Sequence, residues 1–235
     1  MSDKISKGTI VYQDLGLMDY REAWDYQAEL FNDRVSRKLL NREVGEEQQT
    51  WLDNRLIFVE HPHVYTLGKS GDQNNLLINS DFLESIQATY YHIDRGGDIT
   101  YHGPGQIVGY PIFDLEHFGL HLKQYVSNLE ESIILTVKQF GITAERLQGA
   151  TGVWIEPGTP RARKICAIGV KASRHVTMHG FAFNVNTDLT YFGHINPCGF
   201  LDKGVTSMAR ELGSAQDMNE VKRVLRDQLI HIFKG

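Results

Sequence analysis

Residues 164–186 read KICAIGVKASRHVTMHGFAFNVN, two apolar runs joined by a short polar stretch. Both runs are rich in β-branched or aromatic residues, which is typical of buried strands. The run ATGVWIE at residues 150–156 comes shortly before them and has the same character. Strands that follow one another without an intervening helix favour an α+β fold over a doubly wound parallel sheet.

The rest of the chain adds helices and further strands. The clearest helix is predicted from His121 to Phe140, where apolar residues recur every three or four positions and Gly141 ends the pattern. Two more helices are predicted over about residues 19–43, with Asp19 as the N-cap, and over about residues 217–233. Further β-like runs occupy residues 9–16, 55–61, 64–68, 88–94 and 106–115.

The composition excludes several classes of protein. The 235 residues are 41% hydrophobic and carry a net charge of −5, which predicts one compact domain over residues 1–235 and disfavours a nucleic-acid binder. No apolar run approaches the ~20 residues that span a bilayer, and the polar N-terminus carries no signal core, so neither membrane association nor secretion is expected. Two cysteines cannot form a disulfide framework, which favours a cytoplasmic location.

The two cysteines lie in different surroundings. Cys198 stands in HINPCG at residues 194–199, where Pro197 restricts the backbone and Gly199 leaves the sulfur unshielded. Such a turn can present a nucleophilic thiol, although a free cysteine is more often a small buried residue of the core. Cys166 lies inside the apolar run ICAIGV and is predicted to be structural.

A nucleophilic cysteine needs a nearby cation that favours its thiolate. Residues 158–187 contain no acidic residue, and their basic residues are Arg161, Arg163, Lys164, Lys171 and Arg174. A solvated basic edge is the simplest interpretation for Arg161 and Arg163, and residues 161–174 are a hypothetical docking patch for acidic partner proteins. Lys164 differs because it directly precedes an apolar strand, where burial would lower its pKa and let it exchange protons.

The glycine-rich stretch RGGDITYHGPGQ at residues 95–106 is followed by no helix, so it is neither a P-loop nor a dinucleotide-binding turn. Its glycines allow the backbone to approach a ligand, with Arg95 and His102 at the margins. The alternative is a tight hairpin in which Gly96 and Gly97 supply positive φ angles. Neither the histidines of EHPH at residues 60–63 nor the cysteines have a zinc-site spacing, so no metal site is predicted.

Four motifs in this order, RGGDITYHGPGQ, RKICAIGVK, HGFAFNVNTDL and HINPCG, resemble those of the lipoyl(octanoyl) transferases. The resemblance covers about residues 9–212 and extends to EHPHVYTLGKSG at residues 60–71. It implies the α+β fold of biotin and lipoate protein ligase catalytic domains, a mixed, largely antiparallel sheet with flanking helices.

Carried over position by position, the resemblance implies that Cys198 accepts the acyl group and that Lys164 is the catalytic lysine. It also assigns an acyl pocket to three segments of the chain. These are Arg95, Gly96, Gly97, Asp98, Ile99, Thr100, Tyr101 and His102, then Ala167, Ile168 and Gly169, and then Gly180, Phe181 and Ala182. Backbone N–H groups of the first segment, with His102 beside them, are candidate donors to an oxyanion.

The implied reaction transfers an octanoyl group from octanoyl-acyl carrier protein to a lysine on lipoyl domains of 2-oxoacid dehydrogenases and the glycine cleavage H protein. A thioester donor is already activated, so no nucleotide or other cofactor is expected. Cys198 would form an acyl thioester, and Lys164 would favour the thiolate and then take the proton of the incoming amine. The alternatives are an ATP-dependent lipoate or biotin protein ligase, which has no need of Cys198, and a non-enzymatic acyl-binding module.

Overall fold

Two sheets are present in the computed structural model, which describes residues 8–196 and 203–234. The strands are β1 (Ile10–Leu17), β2 (Asn54–Glu60), β3 (Val64–Leu67), β4 (Thr89–His92), β5 (Ile99–His102), β6 (Gln106–Ile112), β7 (Glu145–Leu147), β8 (Ala150–Ile155), β9 (Arg163–Ser173), β10 (Val176–Asn184) and β11 (Gly204–Val205). The large sheet has the order β1-β2-β6-β10-β9-β8-β7, with β11 paired to β9. The small sheet has the order β4-β3-β5.

The pairing directions confirm the predicted mixed, largely antiparallel sheet. In the large sheet β1 is parallel to β2, and β11 is parallel to β9. The other pairs of that sheet are antiparallel, including the central hairpin of β9 and β10. The runs at residues 164–171 and 176–186, from which the α+β class was predicted, therefore form the middle of the fold.

The helices are α1 (Tyr20–Asn41), α2 (Ser80–Ser85), α3 (Leu122–Gln139), α4 (Met208–Leu212) and α5 (Met218–Lys234). The three long ones match the predicted helices to within a few residues. Asp19 caps α1 by accepting a hydrogen bond from the Arg21 N–H at 2.8 Å. Gly141, with φ of 82°, follows the end of α3 in the left-handed conformation that glycine favours. Within residues 8–196 and 203–234, no helix is long and apolar enough to cross a membrane.

Both faces of the large sheet are covered. One face packs with α3 and α5 in a core that contains Phe58, Phe183 and Leu129. The opposite face packs with α1, and its core contains Ile57 and Phe31. Because adjacent strand residues point to opposite faces, a sheet that is buried on both sides requires near-continuous apolar strands. This explains why the strand runs are so apolar.

The glycine-rich segment is not a hairpin, and that interpretation was wrong. The strands on either side of Gly96 and Gly97 are β4 and β5, and each pairs with β3, which lies between them in the small sheet. The next strand, β6, pairs with β2 and β10 in the large sheet. The turn at Gly103–Gly105 therefore carries the chain from one sheet to the other. Positive φ angles occur at Gly97 (89°) and Gly105 (77°), and Gly96 has none. The segment thus forms a wall that faces the large sheet.

Candidate active site

A cavity of about 710 Å³ lies between the large sheet and the wall that the small sheet and its loops form. β6, β9 and β10 supply its floor, for example through Val108, Ala167 and Ala182. The wall opposite includes residues of β5 and of the 3-10 turn Leu189–His194. A concave site of this volume between two layers is typical of a small-molecule site.

Most of the predicted site residues line this one cavity. They are Arg95, Gly97, Asp98, Ile99, Thr100, His102, Lys164, Ala167, Ile168, Gly169, Gly180, Phe181 and Ala182. Gly96 and Tyr101 are not among its lining residues, and the Tyr101 hydroxyl contacts His63 Nδ1 at 2.7 Å. Cys198 lies outside the described residues. The described residues on either side of it, Asn196 and Lys203, both line the cavity.

A β-bulge turns Lys164 toward the cavity. Val153 of β8 pairs with Cys166, but the next residue, Trp154, pairs with Lys164, so Ile165 is an extra residue on β9. In a regular strand Lys164 and Cys166 would point to the same face. With the bulge, the Cys166 side chain packs in the core while Lys164 lines the cavity.

The amine of Lys164 lies over an aromatic ring. Its Nζ is 4.6 Å from the ring centroid of Trp154, and burial lowers the pKa of Lys164 below its ordinary value. Gly152 leaves room for the lysine stem, since a Cβ there would lie 3.3 Å from Lys164 Cε. Desolvation of this kind disfavours the charged amine, so the neutral form that can accept a proton is more accessible than in an ordinary lysine.

Cys166 is a core residue, as predicted. Its side chain is fully buried in the cluster that packs against α3 and α5. Burial raises the pKa of the Cys166 thiol well above its ordinary value. A buried neutral thiol is a poor nucleophile, because the thiolate is the reactive form.

The wall segment is held against the sheet by its backbone and by Arg95. The Arg95 guanidinium is buried and donates to the Thr66 carbonyl at 2.8 Å and to the Gly96 carbonyl at 3.0 Å. The glycines permit close packing, because a Cβ at Gly68 would lie 2.3 Å from the Gly97 carbonyl oxygen. The segment therefore packs closely against the end of β3 through its backbone.

The His102 ring forms contacts within the protein and offers no hydrogen-bond donor to a ligand. Its Nδ1–H donates to Gln106 Oε1 at 2.8 Å, and the Thr66 hydroxyl lies 3.3 Å from Nε2. The Gln106 amide nitrogen donates onward to Asn184 Oδ1 at 2.9 Å. Burial, with His61 as the next cause, lowers the pKa of His102 to about 3, so the ring is neutral. Because both ring nitrogens contact other side chains, we do not expect His102 to donate a hydrogen bond to an oxyanion.

Sequence reasoning did not identify His179, a polar residue of the cavity lining, or its partner Asp94. His179 lines the cavity, and its Nε2 lies 2.8 Å from Asp94 Oδ1. The other carboxylate oxygen of Asp94 accepts from Lys171 Nζ at 2.5 Å. The available signal was a histidine inside the largely apolar run VTMHGFAF at residues 176–183.

The basic stretch is largely neutralised by carboxylates from other parts of the chain. Arg161 pairs with Glu156 at 2.6 Å, and Arg163 pairs with Glu211 at 2.5 Å and also with Glu156. Lys171 is paired with Asp94, as described above. The hypothesis of a basic docking patch at residues 161–174 therefore loses its main support.

The two histidines of EHPH, His61 and His63, contact different residues. His61 is buried, its Nδ1–H donates to the Met18 carbonyl at 2.8 Å, and its Nε2 contacts the Tyr110 hydroxyl at 2.8 Å. His63 contacts the Tyr101 hydroxyl instead. Among the described residues, no group of three or more His, Cys, Asp or Glu side chains is arranged to hold a metal ion.

The chain matches the model of the lipoyl protein ligase A/B catalytic domain over residues 19–230. It is 58% identical to an octanoyltransferase of Flavobacterium johnsoniae over 96% of this chain and 97% of that one. It is 55% identical to an octanoyltransferase of Cytophaga hutchinsonii over 98% of this chain and 95% of that one.

Among solved structures, the chain is similar to a bipartite lipoate protein ligase of Thermoplasma acidophilum, with a TM-score of 0.65 at 14% identity. The similarity covers 98% of this chain and 85% of that chain. At this identity the similarity concerns the fold alone, and it confirms the predicted likeness to lipoate protein ligase catalytic domains.

Proposed function

The chain belongs to the lipoyl protein ligase A/B catalytic domain family, and from this premise we propose that it transfers an octanoyl group from octanoyl-acyl carrier protein to a specific lysine on a lipoyl domain. Its curated relatives at 55–58% identity are octanoyltransferases, and the chain is accordingly an acyltransferase. The acceptors in this proposal are the lipoyl domains of 2-oxoacid dehydrogenases and the glycine cleavage H protein. The product serves lipoate biosynthesis.

The position of Lys164 is the observation that carries the proposal. Its partly desolvated amine lines the same cavity as Asn196 and Lys203, the described residues on either side of the segment that contains Cys198. Just after that segment, Val205 of β11 pairs with Lys164 itself. These facts support a shared site for the thiol and the amine.

In the first proposed step, the Cys198 thiolate attacks the carbonyl carbon of the donor thioester. The carbon–sulfur bond to the phosphopantetheine arm breaks, and an octanoyl thioester forms on Cys198. The proton that Cys198 has lost passes to the departing thiolate. The Lys164 ammonium favours the Cys198 thiolate, which would otherwise be scarce because an unperturbed thiol titrates near ~8.5.

In the second proposed step, the amine of the acceptor lysine attacks the octanoyl thioester. A carbon–nitrogen bond forms, the Cys198 thiolate leaves, and neutral Lys164 accepts the proton that the amine gives up. A lysine of lowered pKa is suited to both steps, because its neutral form is more accessible than that of an ordinary lysine and its charged form remains available. The amide is more stable than the thioester, so this step makes the transfer one-way.

The floor of the cavity suits an alkyl chain. Ala167 and Ala182 face each other across β9 and β10, and so do Gly169 and Gly180. The two alanines have short side chains that leave room above the strands, whereas the backbone of Gly96 packs over Gly169. Each methylene that is buried there contributes about 0.8 kcal/mol to binding. The donor is an activated thioester, so neither ATP nor a metal ion takes part in the proposal.

Intact-mass measurement tests the covalent step. After mixing with octanoyl-acyl carrier protein without ATP, the protein should gain one octanoyl group, which hydroxylamine should release as it does from thioesters. Cys198→Ala should abolish the adduct. Cys166→Ala is the matched control and should retain it, because the Cys166 thiol is buried with a raised pKa.

Three outcomes would contradict the proposal. An adduct that persists in Cys198→Ala would place the nucleophile elsewhere. A strict requirement for ATP with free octanoate as donor would assign the chain to the ligases. Binding of the octanoyl donor without any transfer to a lipoyl domain would indicate an acyl-binding module.

A further inference from the structure

Trp154 and Lys164 are neighbours across two strands of the cavity floor. Because of the bulge, Trp154 of β8 pairs directly with Lys164 of β9, and both side chains line the cavity. Directly opposite residues project from the same face of a sheet, where their side chains meet. A Cβ at Gly152 would lie 3.3 Å from Lys164 Cε and 3.4 Å from Cδ. The lysine stem therefore passes beside Gly152, and its amine reaches the Trp154 ring, with Nζ 4.6 Å from the ring centroid.

The Trp154 ring is fixed by its own contacts. The side chain is buried, and its Nε1–H donates a hydrogen bond to the Ala150 carbonyl at 3.1 Å. An indole whose N–H is bonded to the backbone has lost most of its rotational freedom. The face of the ring is therefore a rigid surface against which the amine of Lys164 rests.

The ring and burial act on the charge of Lys164 in opposite directions. Burial lowers the pKa of Lys164, because it penalises the ammonium form. The face of an indole carries partial negative charge and attracts a cation within about 6 Å of its centroid, more strongly when the cation is desolvated. The ring thus stabilises the ammonium form at a position where burial favours the neutral amine.

Other titratable groups occur on the elements that pack around Lys164. The Cys166 thiol of β9 is neutral, because burial raises its pKa. Lys203, next to β11, is a second cation on the cavity. The charges of Glu130 in α3 and Arg163 in β9 are paired, the first with Arg146 and the second with Glu156 and Glu211. Neither a neutral thiol nor a second cation attracts an ammonium, whereas the ring face does.

We infer that Trp154 is a positioning residue for acyl transfer, whose ring face holds the amine of Lys164 on the cavity floor and stabilises its ammonium form. The inference rests on the proposed function, which uses Lys164 in both forms. The ammonium favours the Cys198 thiolate in the first step. It forms again in the second step, when neutral Lys164 takes the proton of the acceptor amine. The ring face stabilises the product of that proton transfer.

Fluorinated tryptophan tests this inference with little change in the shape of the ring. Each fluorine withdraws electrons from the ring face and weakens its attraction for a cation. The full chain is prepared with tryptophan, or with its mono- and difluorinated analogues. Brief labelling with trace acetic anhydride at a series of pH values, read by mass spectrometry of peptides, reports the neutral fraction of the Lys164 amine.

The midpoint of Lys164 labelling should move to lower pH with each added fluorine. At a pH below the midpoint, the difluorinated protein should be labelled at Lys164 about twofold faster or more. The acid limb of the second half-reaction, measured with pre-acylated enzyme and a lipoyl domain, should move in the same direction. A tryptophan that only supports the fold would move neither midpoint, because fluorination leaves its packing nearly unchanged.

Trp154→Phe is the matched control, since it carries the same analogues only at the other two tryptophans, Trp24 and Trp51. Fluorination should leave its Lys164 midpoint unchanged. Lys138, which is exposed on α3, should have the same midpoint in every preparation.

An unchanged Lys164 midpoint in the fluorinated wild type, or an equal change in fluorinated Trp154→Phe, would overturn the inference. A shift in labelling without a shift in the acid limb of transfer would overturn the role of the ring in catalysis. Failure of the unfluorinated protein to transfer octanoyl would contradict the proposed function instead, because the labelling requires no transfer.

Discussion

At the scale of single residues, one amine decides what chemistry the cavity can support. Lys164 lies beside the ring of Trp154, and burial lowers its pKa. An ordinary surface lysine is protonated at neutral pH and cannot accept a proton. A partly desolvated lysine can exist in both forms, which the two proposed steps require.

Lys164→Arg should separate these two roles. The guanidinium keeps the positive charge but does not deprotonate in proteins, so it cannot act as a base. The variant should still be acylated at high pH, where the thiolate of Cys198 forms unaided. Transfer from the acylated variant to a lipoyl domain should be slower by about 10² to 10⁴, as is typical for the loss of a general base.

Single-turnover mixing of pre-acylated enzyme with a lipoyl domain measures that second step alone. Lys138→Arg is a suitable control, because Lys138 is an exposed residue of α3. Its rates should match those of the wild type. Normal transfer by acylated Lys164→Arg would reduce Lys164 to an electrostatic role.

At the scale of secondary-structure elements, the bulge between β8 and β9 determines where Lys164 points. Gly152 of β8 lies beside it, with φ of 122°, and a Cβ there would be 2.6 Å from the Cys166 carbonyl oxygen. The same Cβ would contact the Lys164 stem. This glycine is required both for its backbone conformation and for the space that it leaves.

Gly152→Ala should therefore impair catalysis more than folding. We expect a loss of about 1–3 kcal/mol in the free energy of unfolding, because the backbone conformation is unfavourable for alanine. The shift of Lys164 should slow the second half-reaction about 10- to 100-fold. Single-turnover rates, corrected for the folded fraction measured by urea titration, give the catalytic part of the effect.

Gly149→Ala is the control for backbone strain alone. Gly149 also has a positive φ (80°), but nothing lies within 4 Å of the position that a Cβ would take. It should lose stability without a change in the half-reaction rates. Equal rates in Gly149→Ala and Gly152→Ala would show that the space beside Lys164 is unimportant.

At the scale of the whole molecule, buried neutral histidines link α1, the large sheet and the small sheet. The His61 ring lies 5.1 Å from that of Tyr20 in α1 and 6.0 Å from that of His102 in β5. Burial lowers the pKa of His61 to about 4 and that of His102 to about 3. In the unfolded chain both would titrate near ~6.5.

Stability should consequently fall as the pH is lowered from about 6.5 toward 4. In that window the unfolded state binds protons that the native state does not, so the free energy of unfolding rises with pH. Between pH 7 and pH 5, each ring should contribute on the order of 1–2 kcal/mol. The difference between the urea midpoints at pH 7 and pH 5 measures the summed contribution of the two rings.

His61→Gln should reduce the difference between the urea midpoints at pH 7 and pH 5, since one of the two titrating rings is removed. His231→Gln, at an exposed position of α5, should leave it unchanged. A wild-type midpoint that is the same at pH 7 and pH 5 would contradict the assignment of neutral buried rings.

Much of the fold could be predicted from local patterns. The long helices were predicted to within a few residues, because their apolar spacing reflects burial of one face. The strands at residues 164–171 and 176–186 were predicted from apolar runs, because a sheet that is covered on both faces needs them. β5 was missed, since four residues within a glycine-rich segment show no clear alternation.

The class of fold and the motifs that carry the family resemblance could both be predicted from the amino-acid sequence, because they reside in short contiguous runs of residue types. Only the tertiary structure brought His179 to Asp94, and Arg163 to Glu211, since these contacts join residues that are far apart in the chain. It also decided that Lys164 faces the cavity, because a bulge depends on the register with a neighbouring strand. Charge and alternation along one segment cannot predict such contacts, which arise when separate strands and helices pack together.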